Sequence, residues 1–250
     1  MEGQPEVAAA KPLTVTDKIV NVYAAPGELY ENVRQTPLTH SSWVVPLTLV
    51  ILVTILMTFI VQTNPSLTQQ YKDIVQKQME KAVEQGNITQ EQADQQMESF
   101  GPGSTFFAIA SLVGPILFWV ARLFALALVF WLLGRSVMSA RAPFMKVVEV
   151  VGLTYFISIL AAIATTALMF VTDSITATPS LGLAVSPFDI ENKVHLALAA
   201  VNVFTIWVLV VISIGLAKLF QRDFLKVLVL VFALWVIWTV FSVLTGITFG

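Results

Sequence analysis

The sequence predicts an all-α, polytopic integral membrane protein with five transmembrane helices. An amphipathic helical lead-in precedes the first span, and an extracytoplasmic helical hairpin follows it. Three observations carry that expectation. Charged residues make up only 12% of the chain and hydrophobic ones 56%, whereas an ordinary globular domain is about a quarter charged. Mean hydropathy is +0.79. The apolar residues also fall in runs long enough to cross a bilayer. Val201 to Phe220, VNVFTIWVLVVISIGLAKLF, lies in a run from Leu196 to Ala217 that only Asn202, Thr205 and Ser213 interrupt. Twenty helical residues rise about 30 Å, the thickness of a hydrocarbon core. Lys218, Arg222 and Lys226 then form a basic connector to a second run, Val227 to Thr245. Soluble core helices seldom need two such runs back to back.

Along the chain, Met1 to Thr14 is polar and Ala-rich, and disorder is expected for residues 1–14. No apolar segment typical of a cleavable signal precedes the first span, so insertion is expected to begin with that span. From Val15 the apolar residues Val15, Ile19, Val22 and Tyr23, then Leu29, Tyr30 and Val33, recur at helical spacing, with Lys18, Glu28, Glu31 and Arg34 off that stripe. Pro26-Gly27 divides the segment into two short helices. Such a stripe suits either the headgroup plane or the ends of the spans.

The first span is expected from Trp43 to Val61, with Pro46 in its opening turn, where a missing N–H costs little. Residues 62–105 form the one sizeable polar insertion. Tyr71, Ile74, Val75, Met79, Ala82 and Val83 make an apolar stripe, Gly86-Asn87 ends that helix, and Thr89 with Gln92 provides a capping box for the next. The insertion reads as a hairpin separable from the bundle. A second span lies within Phe106 to Leu133, where Gly114-Pro115 is expected to kink it or to divide it. A basic loop with Arg135, Arg141 and Lys146 leads to a third span, Val148 to Val171, and the loop Thr172 to Lys193 leads to the last two spans.

Lys and Arg in short loops set orientation. The N-terminal tail and the loops at 134–147 and 218–226 carry nine, and the opposite loops four. The expected topology therefore has the N-terminus in the cytoplasm and Gly250 outside.

Three stretches resemble the Yip (Ypt-interacting protein) membrane family, in its bacterial branch. DKIVNVYAAPGELYENVRQTP, Asp17 to Pro37, is similar to that domain's amphipathic lead-in. LLGRSVMSARAPFMKVVEVVGLTYF is similar to its basic, small-residue loop and third span. VFTIWVLVVISIGLAKLF is similar to its Phe-x-x-Trp…Gly fourth span, here Phe204, Trp207 and Gly215. The resemblance implies a five-span, N-in membrane domain over residues 15–250, with the 62–105 hairpin as an insertion. It also implies location in the bacterial cytoplasmic (inner) membrane and a non-enzymatic role as organiser or adaptor. Partners would be the lipid bilayer and other membrane proteins or a second copy of the chain, with no nucleic acid. The eukaryotic members act with Rab GTPases, and their acidic Asp-Leu-x-Gly-Pro type motif is absent here.

Three polar residues inside the apolar runs are candidate sites. Arg122 falls near the middle of the second span, where insertion scales assign about 2.5–3.5 kcal/mol to an arginine. It suits either an anion contact or a structural bond to carbonyls or to Asn202. Glu149 sits just inside the third span, where pairing with Lys146 or Arg141 would hold it, and Asn202 suits a bond between helices. Enzyme signatures are missing. With no cysteine there is no thiolate chemistry or Cys-ligated zinc. The two histidines, His40 and His195, flank different spans, and no His-Glu-x-x-His, Gly-x-Ser-x-Gly or glycine-rich nucleotide loop occurs. No cofactor is expected. A small transporter or channel is the alternative, although one intramembrane arginine and five spans do not divide into repeated halves.

Overall fold

The computed structural model describes residues 11–245, so most of the tail expected to be disordered, and Gly250, lie outside the described residues. In chain order the helices are α1 (Val15–Ala24), α2 (Pro26–Gln35), α3 (Ser41–Gln62), α4 (Pro65–Glu84), α5 (Gln90–Phe100) and α6 (Thr105–Ser136). They continue as α7 (Phe144–Leu153), α8 (Tyr155–Thr172), α9 (Lys193–Ala200), α10 (Val203–Phe220) and α11 (Phe224–Thr245), with a short 3-10 turn at Leu181–Ala184. Among the described residues, five stretches are long and apolar enough to cross a membrane: α3, α6, Phe144–Thr172, α10 and α11. The all-α, five-span expectation holds.

Several expected boundaries move. The second span is one uninterrupted helix of 32 residues with Pro115 inside it, so the Gly-Pro pair does not divide it. The third span starts at Phe144 and breaks once, at Thr154. The run from Leu196 to Ala217 is not a single helix. Its first residues form α9, and an isolated bridge between Ser180 and Asn202 holds the chain extended before α10 begins. Apolarity sets which residues leave water, but backbone pairing sets where a helix stops.

The chain divides into two compact units. The first comprises Met1–Val50, Ala121–Ser158 and Val203–Gly250, the second Ile51–Val120 and Ile159–Asn202. In the first unit α1 begins at a capping box, in which Asp17 N–H bonds the Thr14 hydroxyl and Thr14 N–H bonds the Asp17 carboxylate, each at 3.2 Å. Proline opens α2, as the sequence leads one to expect. The core of this unit is the segment Lys146 to Ile157, in which every residue is buried. Val22, Leu29, Tyr30 and Val33 of the lead-in are buried as well. These four residues of the lead-in stripe are packed into protein, while Val15, Ile19 and Tyr23 are half-buried.

Close approach in this unit depends on glycines. A Cβ on Gly215 of α10 would stand 2.5 Å from Val150 Cγ1 and 3.1 Å from the Tyr30 ring. One on Gly152 of α7 would stand 2.6 Å from Trp43 Cβ. Small residues let helix backbones approach where lipid supplies no hydrophobic force between spans.

In the second unit the hairpin has the expected punctuation. Asn64 caps α4, Gly86 ends the turn after it at φ +72°, and Thr89 and Gln92 form the capping box of α5. The hairpin is not free-standing, however. Gln70 bridges two backbone groups of the loop after α8, donating to the Asp173 carbonyl at 2.8 Å and accepting from Ile175 N–H at 2.9 Å. Ser66 bonds the Asp173 carboxylate, and Lys81 pairs with Glu191 at 2.7 Å. Long-range polar bonds of this kind leave no trace in a local pattern.

Gly215→Ala forces its new methyl against the branched Val150 side chain and the Tyr30 ring. Overpacking of this kind costs about 1–3 kcal/mol, so the melting temperature of the detergent-solubilised protein is expected to fall. An unchanged melting temperature would show that α10 does not depend on the glycine.

Candidate functional site

A cluster of buried polar groups joins the lead-in helices to α7. Lys146 and Glu149, three residues apart, share one helix face. Lys146 Nζ lies 2.6 Å from Glu149 Oε2, with Glu149 1% exposed. The same ammonium donates to the carbonyls of Val33, at 2.8 Å, and Pro37, at 3.2 Å. The Val33 carbonyl belongs to the last turn of α2, and its helical donor four residues on would be Pro37, which has no N–H. Lys146 supplies that missing donor. The second carboxylate oxygen, Glu149 Oε1, accepts from Thr39 N–H at 2.9 Å. One ion pair therefore binds the end of α2, the connector after it and α7.

Lys18 completes the cluster. Its side chain is 3% exposed, and Nζ donates to Ser42 Oγ at 2.8 Å. The sequence reading set Lys18 off the apolar stripe. It lies four residues before the buried Val22, on the same face of α1, and that spacing was the available signal. Burial lowers its pKa below the ordinary lysine value, Glu149 opposes that shift, and Lys146 adds to it.

Two tyrosines make the remaining attachments. Tyr30 of α2 donates to the Val150 carbonyl at 3.2 Å. The break at Thr154 frees this acceptor, because Thr154 N–H turns back to Val151 and Gly152 instead of the residue four positions earlier. Tyr23 of α1 donates to the Phe156 carbonyl at 2.6 Å and meets Trp207 edge-on with ring centres 5.7 Å apart. Phe204 stacks on Trp207 at 6.4 Å. Trp207 and Gly215 of α10 thus receive Tyr23 and Tyr30 of the lead-in. The outer face of α2 borders an open groove of about 530 Å³ lined by Gly27, Glu28, Glu31, Asn32, Gln35 and Lys218. Within it Glu31 bonds Arg34 and Gln35, and the Arg34 bond holds its carboxylate below the usual range.

The expected polar residues have different settings. Glu149 stands in the sixth position of the third span, deeper than the sequence suggested, and Lys146 rather than Arg141 is its ionic partner. Arg122 lies at the middle of α6, beside the buried stripe of Leu123, Ala127 and Phe130, and interacts electrostatically with Tyr155. Asn202 belongs to the other unit, where its backbone pairs with Ser180. Among the described residues, no group of three His, Asp or Glu side chains is arranged to hold a metal ion.

Residues 20–246 match the family model of the Yip1 domain. No curated protein and no solved structure matches the chain.

Two predictions follow from the cluster. Lys146→Met leaves the Glu149 carboxylate buried without its cation and should cost about 3–5 kcal/mol. Adding Glu149→Leu removes the stranded charge, so the double variant should melt well above the sum of the single losses; strict additivity would show that the pair is not coupled. The second concerns pH. Because the folded pKa of Lys18 is lowered, the unfolded chain binds more protons between that value and the ordinary lysine pKa. Stability should therefore rise with pH across that window, and Lys18→Met should flatten the rise in thermal melts from pH 8 to pH 10.5.

Proposed function

The chain belongs to the Yip1 domain family and is a membrane protein, and from that premise we propose that it is a non-enzymatic organiser or adaptor. It works by presenting a rigid polar surface at the end of its spans to other membrane proteins or to a second copy of itself. The observation that carries this reading is the double anchoring of the lead-in. Lys146 and Glu149 hold α2 and its connector from below, while Tyr23 and Tyr30 fix both lead-in helices on Trp207 and Gly215. An element held so firmly is suited to recognition, since a preordered surface loses little entropy on binding. The groove along α2, with Glu28, Glu31, Asn32 and Gln35 on one side and Lys218 on the other, is the contact surface in this reading.

The excess of Lys and Arg in the tail and the two basic loops supports a cytoplasmic N-terminus, and hence a lead-in facing the cytosol of a bacterium. Arg122, which interacts electrostatically with Tyr155, has a structural role in this reading, as does Asn202 through its backbone bridge to Ser180. Membership of the Yip1 domain family, which is not known as enzymatic, supports the non-enzymatic assignment.

The test is co-purification after gentle solubilisation, with the wild-type chain and Glu28→Lys/Gln35→Lys compared at equal yield. A partner that assembles on the groove should be recovered several-fold less with the double variant, whose helical content and melting temperature should not change. Recovery that is identical for both chains would remove the groove from the function. Ion or solute flux through proteoliposomes of the pure protein would replace the adaptor reading with transport.

A further inference from the structure

A second cavity, of about 400 Å³, lies at the turn between α10 and α11 and is lined by Ile214, Ala217, Lys218, Arg222 and Phe224. Its lining divides by chemistry into three apolar side chains and two cations, with no carboxylate. Backbone geometry sets that division. Gln221 takes a left-handed conformation at φ 53°, Arg222 N–H bonds the Ala217 carbonyl and Gln221 N–H bonds the Lys218 carbonyl. These two bonds make a Schellman turn, which folds the chain back over the last turn of the helix. Arg222 is thereby returned toward Lys218 at the end of α10.

Both cations have capacity for a ligand. Arg222 spends its Nε–H on the Met138 carbonyl at 2.8 Å, which orients the guanidinium while using one of its five donors. Lys218 has a side chain 45% exposed, and the Glu31 Oε2 that pairs with it is 3.7 Å away, a long exposed contact, while Arg34 and Gln35 hold the other oxygen of that carboxylate. A phosphate oxygen is the natural acceptor for an oriented guanidinium beside an ammonium.

We propose that this cavity binds one anionic phospholipid, with its phosphate between Lys218 and Arg222 and the start of an acyl chain against Ile214, Ala217 and Phe224. The apolar lining selects a lipid over a free anion, because inorganic phosphate would bury those carbons against nothing. The position agrees with this choice. Lys218 ends one span and Phe224 begins the next, so the cavity stands where two apolar helices leave the hydrocarbon and headgroups collect. This site does not depend on the adaptor reading.

The test uses the full chain in detergent, with lipid adducts counted by native mass spectrometry. Phosphatidylglycerol and phosphatidylcholine of equal acyl length are titrated in parallel, and inorganic phosphate is the competitor. The expected result is a clear preference for phosphatidylglycerol, weakened about fivefold by Lys218→Gln, the effect of one cation near an anionic headgroup. Arg135→Gln removes an equal charge outside the cavity lining and should change binding less than twofold. Ile214→Trp fills the cavity, keeps every charge and should abolish the preference. Equal binding of the two lipids would overturn the proposal. So would equal losses in Lys218→Gln and Arg135→Gln, which would mean general surface attraction, or displacement by millimolar phosphate, which would mean a free-anion site. Should Ile214→Trp fail to fold, the exposed Lys218→Gln substitution decides the question by itself.

Discussion

The buried pair of Lys146 and Glu149 is the constraint on which the first unit depends. It lies at the start of a segment with no exposed face, Lys146 to Ile157. Such a segment needs cover on every side, and a charged pair inside it needs its remaining bonds satisfied. The chain meets both needs with one element. The lead-in supplies apolar cover through Val22, Leu29 and Val33, and backbone groups for the pair through Val33, Pro37 and Thr39. The proline after α2 has a definite part in this. By lacking an N–H it leaves the Val33 carbonyl open, and the lysine fills the vacancy.

Departures from regular helix recur where the lead-in attaches. The break at Thr154 releases the Val150 carbonyl to Tyr30, and Gly215 removes the side chain that would keep the Tyr30 ring from α10. Both are local losses of helical bonding or packing that serve contacts more than a hundred residues apart in sequence. The stretches that resembled the family as separate motifs are thus parts of one interlock. Lead-in, third span and fourth span touch through Tyr23, Tyr30, Val150, Trp207 and Gly215.

Two sets of ionisable side chains in the first unit stand in different settings. Lys18, Lys146 and Glu149 are buried; Lys146 pairs with Glu149, and Lys18 bonds Ser42 beside them. Glu31, Arg34, Lys218 and Arg222 stand at the surface around two cavities. Exposed pairs such as Lys218 with Glu31 contribute little to stability, which leaves these side chains open to ligands. The buried set fixes the position of α1 and α2, and the exposed set defines what that surface can recognise.

The sequence by itself determined the class of protein, the number of spans, the division of the lead-in at Pro26 and the hairpin with its capping box. Each of these follows from a short-range rule: length of apolar run, helical periodicity, or a cap within four residues. Its limits appear at Glu149, Lys18 and Asn202. Hydropathy placed Glu149 at the margin of a span because it measures transfer from water and not what else covers the helix. Lys18 read as lying off the apolar stripe because its partners, Ser42 and the Glu149 carboxylate, are distant in sequence. The end of α9 before Asn202 was invisible because a backbone bridge to Ser180 has no side-chain signature. Only tertiary structure decided these points, since a buried polar group is tolerated or excluded by the partners that folding brings to it.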